Sequence, residues 1–359
     1  MSKHKQTLVG LVLLLMGGSC REVYYPEDIE SNLKIPVIQG NIMENKAPVV
    51  NLSWAIGYEG QTAECISGAI VLVSDNLGNI VFLDELIAGT YTTYMDEFKG
   101  VIGNYYTLQV TLPDGSEYTS NAVLLPDNPV IDSLYAVPGI GKVYTYNTSK
   151  ELIVKEQEGL FVYSELHGYS DNTLYYRFHT KMIKELMYTV ELGSPSSHPI
   201  FIWEVSWLDN KFTADKTVSQ ADQQVIRKHP MGFLNYFYNA ALQTETQTAP
   251  FTIAWILIFN VYSISSDVYE YYHSIGQQLA SKDQLFAPVP SQVKGNIKCS
   301  SDPGKKVIGV FEASSVTTYY KAFGWKSLKE YFERELDTFP DLKQGGSMPR
   351  YRPDFWLTF

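Results

Sequence analysis

Cysteine is scarce in this chain of 359 residues: there are three, Cys20, Cys65 and Cys299. That excludes a disulfide-dense scaffold and any paired CxxC metal site. No GxSxG, HExxH or P-loop occurs, so the short motifs that announce hydrolase, metalloprotease or nucleotide chemistry are missing. The lone Gly139-Ile140-Gly141-Lys142 lacks the spacing and helix context of a phosphate loop and reads as a turn. Positive charge is short as well, with 28 Lys and Arg against 39 Asp and Glu, a net of −11. That balance argues against nucleic acid or an anionic membrane surface as partner. Histidines 167, 179, 198, 229 and 273 are scattered through strands and loops. His167 and His179 are placed to face each other across a hairpin broken at residues 168–172. Two imidazoles without a third ligand favour a strand-surface role over metal. No spacing pairs Glu165 with Glu204, or Asp267 with Glu270, for glycoside hydrolysis. No catalytic residue, cofactor or metal is expected.

What is present starts with an export signal over residues 1–19. Lys3 and Lys5 precede an apolar run from Leu8 to Met16, too short for a membrane span, and Gly17-Gly18-Ser19 leads to Cys20. A Cys directly after small residues predicts lipid attachment at Cys20, against an ordinary signal peptide with a coincidental Cys. Cleavage removes two lysines and no acid, taking the net charge from −11 to about −13. Lipid attachment would anchor the exported chain to a membrane of the envelope, and Arg21-Glu22 does not decide between a periplasmic and a cell-surface face. In an exported chain the remaining Cys65 and Cys299 invite a disulfide, or are two separate small buried residues.

Residues 20–34 carry Pro26, Glu27, Asp28 and Glu30 without a period and read as a tether. From Ile35 the pattern is β. Seven or so short runs rich in Val, Ile, Tyr and Thr alternate with turn signals, of which Asp75–Asn79 and Pro113-Asp114-Gly115 are the clearest. This predicts an immunoglobulin-like β-sandwich over 35–126. Asp75–Asn79 has too few acids for calcium and reads as a turn. Pro126-Asp127-Asn128-Pro129 marks a boundary. Residues 130–359 read as a second, β-rich (α+β) domain with a few short helices. One helix is expected after Ser265, capped there or at Ser266, with Val268, Tyr272, Ile275 and Leu279 as its apolar stripe. Ser219–Arg227 has the look of a helical turn or two, residues 231–242 of a helix or loop layer, and Ser327–Leu336 of an amphipathic helix.

Several stretches carry a family resemblance: VIQG at 37–40, SGAIVLVSDNLGNI, GTYTT, GNYYTLQVTLPDGSEYTS, LPDNPVIDSLY, LYYRF at 174–178, LFAPVP, GNI at 295–297, IGVFEAS at 308–314 and GGSMPRYRPDFW at 345–356. Together they resemble the Bacteroidetes outer-membrane lipoprotein family catalogued as domain of unknown function 4249, which implies the outer membrane as the location. Because members are commonly encoded near TonB-dependent outer-membrane transporters, the resemblance implies a ligand-binding or accessory partner of such a transporter. The alternative is an exported hydrolase acting on envelope polymer or peptide. The aromatic load of 26 Tyr, 17 Phe and 6 Trp exceeds what strand preference demands. The late run from Tyr319 to Trp325 therefore becomes the candidate interaction surface, with Tyr320, Phe323 and Trp325 as anchors on a loop opened by Gly324. Packing of the core is the competing reading for that run.

Overall fold

The structure, a computed structural model, describes residues 34–55, 62–94, 97–147, 149–191, 197–208, 213–220, 222–235, 251–281, 293–327 and 330–336. Signal peptide, Cys20, tether (save Lys34), the LFAPVP segment and the closing GGSMPRYRPDFW motif lie outside the described residues. The first half contributes β1 (Pro36–Met43), β2 (Val49–Trp54), β3 (Ile70–Asp75), β4 (Ile80–Ile87), β5 (Thr90–Thr92), β6 (Tyr105–Thr111), β7 (Glu117–Ser120) and β8 (Val123–Leu124). The second contributes β9 (Val130–Tyr146), β10 (Leu152–Gly168), β11 (Tyr175–Glu191), β12 (Ser197–Trp207), β13 (Ala214–Lys216), β14 (Val218–Gln220) and β15 (Gln223–Asn235). Then follow β16 (Phe251–Ile264), helix α1 (Ser266–Ser281), β17 (Ile297–Cys299), β18 (Ile308–Ser327) and β19 (Glu330–Leu336). The fold is mainly β, with one helix among the described residues rather than the several expected.

Alternation builds the first core. In β1, Ile38, Gly40 and Ile42 point inward while Gln39 and Asn41 point out, and β2, β3 and β6 repeat the pattern. The two glycine turns form as read. Gly78 (φ +90°) and Gly115 (φ +82°) supply the left-handed backbone between β3 and β4 and between β6 and β7. Asp75 accepts hydrogen bonds from the Leu77 and Asn79 amides, each at 2.9 Å, so its carboxylate serves the turn.

The division at Pro126 does not separate two cores. β1 pairs in parallel with β18, from Val37↔Ile308 to Met43↔Ser314, and β17 extends the far edge beside β7. The first core accordingly includes Ile264, Val268, Tyr269, Tyr271, Ile297, Val310, Phe311 and Ala313. Residues from the later half complete the sandwich. Gly309 (φ +134°) permits the parallel pairing, because a Cβ there would lie 1.8 Å from the Ile38 carbonyl oxygen.

The second core sits between the β12-β11-β16-β18 part of the large sheet and a four-stranded sheet ordered β14-β15-β10-β9. Leu160, Val162, Phe178, Trp255, Phe259 and Phe323 fill it. Lys321 ties the layers by donating to the Leu134 carbonyl.

Four local expectations change. Gly139 to Lys142 lie inside β9, where Gly139 pairs with Gly159 and a Cβ on Gly141 would meet the Phe233 ring at 2.6 Å, so these glycines make room for aromatics instead of turning the chain. Within Ser219–Arg227, Ser219 and Gln220 belong to β14 and Gln223 to Arg227 to β15, Met231–Asn235 also lies in β15, and residues 236–242 lie outside the described set. Glu330–Leu336 is also strand, since β18 offers it an edge. Finally, β10 and β11 enter different sheets, so His167 and His179 do not face each other. Helix α1 starts where expected, with the Ser265 carbonyl accepting the Tyr269 amide at 2.9 Å and Asp267 in its first turn. Its buried side is Val268, Tyr269, Tyr271, Tyr272 and Ile275, whereas Leu279 is exposed.

Candidate functional site

β18 is buried on both faces near its start. Phe311 and Ala313 point to one face, and Val310, Glu312 and Ser314 to the opposite one, where Val310 packs in the part of the first core that includes Val268 and Tyr271 of helix α1. On that same face the register brings Gln39 beside Val310, Asn41 beside Glu312, Asn51 beside Gln39 and Val49 beside Asn41. Helix α1 lays Tyr271 and Tyr272 over this surface, and β11 adds Arg177 and His179, two residues apart on one face. These side chains line a cleft of about 240 Å³.

Its base is a buried ion pair. Arg177 Nη2 lies 2.9 Å from Glu312 Oε1, with side chains 12% and 3% exposed. The guanidinium sits 4.0 Å from the Tyr262 ring centroid and 5.1 Å from that of Tyr272. Ser314 Oγ donates to the same carboxylate at 2.7 Å. Burial pushes the Glu312 carboxyl up, but the Arg177 charge and hydrogen bonds from Arg177, Ser314 and Tyr272 outweigh it and hold the group below its ordinary value. Burial likewise opposes the Arg177 charge, and Glu312 more than offsets it. Burial and the neighbouring Glu312 push the Tyr272 phenol up. The pair is therefore charged internally and neutral as a whole. At the rim, His179 stacks on Trp207 at 3.8 Å.

A histidine–carboxylate contact joins the sheets. His229 Nδ1 lies 2.8 Å from Asp215 Oδ2, the ring stacks on Phe178 at 4.1 Å, and His229 Nε2 is buried without a hydrogen-bond partner. Burial pushes Asp215 up, and the His229 contact brings it below its usual range. His167 pairs with Asp132 at the edge of β10.

The family described as domain of unknown function (DUF4249) matches residues 22–320. The chain belongs to this family. The match includes both Arg177 and Glu312, so the ion pair lies inside the DUF4249 region. No curated protein matches the chain. A solved structure from work titled "Structural basis for the promiscuous specificity of the carbohydrate-binding modules from the beta-sandwich super family" aligns at 12% identity and a TM-score of 0.17. That alignment covers 61% of this chain and 96% of the other, and at that score the likeness carries no argument.

In the DUF4249 chain the residues singled out from sequence are not brought together. Cys65 and Cys299 are free thiols. Cys65 bridges to Ser53 on β2, whereas Cys299 faces Tyr118 of β7, and β5, β4, β3 and β6 intervene along the sheet. Of the proposed surface, Phe323 is fully buried in the second core and Tyr320 is half-buried within β18. Gly324 opens no loop, because β18 runs unbroken through it and pairs it with Ala254 and Phe332. Trp325 pairs with Tyr331 through the backbone, and its side chain lies outside the described set. The core-packing reading of that run holds for Phe323. Sequence reasoning missed Arg177 and Glu312 as partners, although each is a charge flanked by apolar or aromatic neighbours, in YYRF and VFEA. Such a charge demands a buried counter-ion.

Proposed function

We propose that this DUF4249 chain is an envelope lipoprotein, anchored through Cys20, that works by binding as the accessory partner of a TonB-dependent outer-membrane transporter. The observation that carries this reading is an exposed apolar cluster at the tip of the β9–β10 hairpin. Near its base the hairpin turns Leu134, Ala136, Leu160 and Val162 into the second core. Farther out the same face carries Ile140, then the exposed Lys142, Glu156 and Glu158, and at the tip the apolar cluster Tyr144, Tyr146, Leu152 and Val154, which are 69%, 70%, 60% and 52% exposed. A two-stranded ribbon is marginal in water without cover for such a cluster, and a contiguous exposed apolar patch marks an interaction surface.

Tyr144 and Val154 are directly cross-strand, so Tyr144→Lys with Val154→Lys places charge in that cluster. The wild-type lipoprotein, solubilised from its own outer membrane, is expected to bring a transporter with it. The double variant is expected to fold and to retain at most a tenth of the transporter, a loss of about 1.4 kcal/mol or more. Cys20→Ser is expected to leave the membrane fraction, since the lipid would be its anchor. A wild-type chain that brings no transporter, a double variant that co-purifies at full yield, or a Cys20→Ser chain that resists a salt wash overturns the proposal.

The hydrolase alternative has one observation on its side, because Asp215 orients His229 as a carboxylate orients a general base. Yet His229 Nε2 is buried, out of reach of a water or substrate. Turnover of peptidoglycan or peptide that His229→Ala abolishes would reverse the ranking.

A further inference from the structure

We propose that the cleft between helix α1 and the outer face of β1 and β2 binds one neutral, polyhydroxylated ring, the end unit of a saccharide. The inference takes its setting from the binding reading above and its chemistry from different residues. Charge excludes other ligand classes first. The Glu312 carboxylate is already held by Arg177, Ser314 and Tyr272, and the Arg177 guanidinium by Glu312 and two tyrosine rings. A metal ion or an anion entering the cleft meets no unmatched charge, and a zwitterion meets no separated pair.

The remaining wall is amide and hydroxyl. Gln39, Asn41 and Asn51 lie on one sheet face, Gln39 directly across from Asn51 and Asn41 two residues along, roughly 7 Å away. Each carboxamide carries donors and an acceptor, the mixture that vicinal hydroxyls need, and the Asn51 oxygen already accepts the Thr90 hydroxyl at 2.9 Å, which orients its amide. Tyr271, whose phenol shares a hydrogen bond with Gln39, faces them from α1. Val49 and Val310 supply an apolar patch for the C–H face of such a ring. The volume of about 240 Å³ falls below the roughly 300–1,000 Å³ of pockets for drug-sized ligands, which limits the occupant to one ring. Gln39 and Asn51 are exposed, so a longer glycan can continue outward from the cleft.

The test uses the purified full-length lipoprotein and four probes, the methyl glycosides of glucose, galactose, mannose and N-acetylglucosamine, read by saturation-transfer NMR. At least one is expected to bind saturably near ~1 mM. Asn41→Leu and Asn51→Leu are each expected to weaken it at least tenfold with an unchanged unfolding midpoint, and neither phosphate nor calcium should compete. Gln39→Ala serves as a further variant should either leucine chain fail to fold. The inference falls if no glycoside saturates up to about 10 mM, ten times the expected constant. It falls equally if the folded variants bind as wild type, or if phosphate or calcium displaces the sugar. The two proposals fail separately: lost sugar binding with intact transporter co-purification removes only the ligand. Intact sugar binding without a transporter removes only the partner.

Discussion

Replacing Glu312 by Leu tests the base of the cleft directly. The substitution removes the only counter-charge within hydrogen-bond reach of Arg177 among the described residues, while the 12% exposed guanidinium stays between Tyr262 and Tyr272. Breaking a buried pair from one side leaves an uncompensated charge and costs about 3–5 kcal/mol, more than the pair itself is worth. Ser314 also loses the carboxylate that its hydroxyl donates to, which keeps the expectation toward the upper part of that range. Removing both charges, with Arg177→Met and Glu312→Leu together, is expected to recover most of the loss, because no stranded charge remains. Urea unfolding of wild type, both single variants and the double variant, followed by tryptophan fluorescence, gives the coupling energy as a double-mutant cycle. A Glu312→Leu loss under about 1 kcal/mol would show that water reaches the pair, as at exposed ion pairs, and would refute the description of the cleft floor. A double variant as unstable as the single ones would refute the stranded-charge argument.

Gly309→Ala is expected to cost at least about 3 kcal/mol, because its Cβ would meet the Ile38 carbonyl at 1.8 Å in a left-handed backbone; wild-type resistance to limited proteolysis would contradict this. Phe323→Ala should lose about 3–5 kcal/mol in urea, as a fully buried aromatic of the second core does, and a wild-type midpoint would return it to the surface. Glu85 accepts the Gly68 and Gly89 amides at 2.9 and 2.8 Å, which lower its pKa from 4.5 to about 2. Its contribution is therefore complete above about pH 4.5, where the unfolded group also ionises, and is lost as pH falls through about 2. Glu85→Gln should flatten that part of the acid unfolding curve, and an identical pH slope in both chains would show that the two amides do not favour the ionised carboxylate.

The short-range features were legible because their causes are local. Gly78 and Gly115 sit where turns need positive φ, and Ser265 precedes the periodic stripe of α1. The misread stretches had two-way signals. Leu328, Tyr331, Phe332 and Leu336 have helical spacing, but Tyr331 and Phe332 also suit a strand, and the open edge of β18 decides the outcome. Gly139 and Gly141 look like punctuation, although their role is to admit Phe161 and Phe233 from neighbouring strands. The cleft was hidden for a different reason: Arg177 and Glu312 stand 135 residues apart, and the β11–β16–β18 order brings them together, while the parallel β1–β18 pairing sets Gln39 and Asn41 beside them.

That parallel pairing also has a mechanical meaning. The chain enters the fold through β1, and β18 continues from the first core into the second. Tension applied ahead of β1 and borne by the second core through the far end of β18 runs along the strand axes. It shears the register from Val37↔Ile308 to Met43↔Ser314 as a block, instead of peeling its hydrogen bonds one after another. Rupture then requires the whole ladder to yield together, so survival under load is governed by the unfolding rate of that block rather than by equilibrium stability. If the chain is anchored through Cys20, as proposed, this loaded seam is the first strand pairing after the anchor among the described residues.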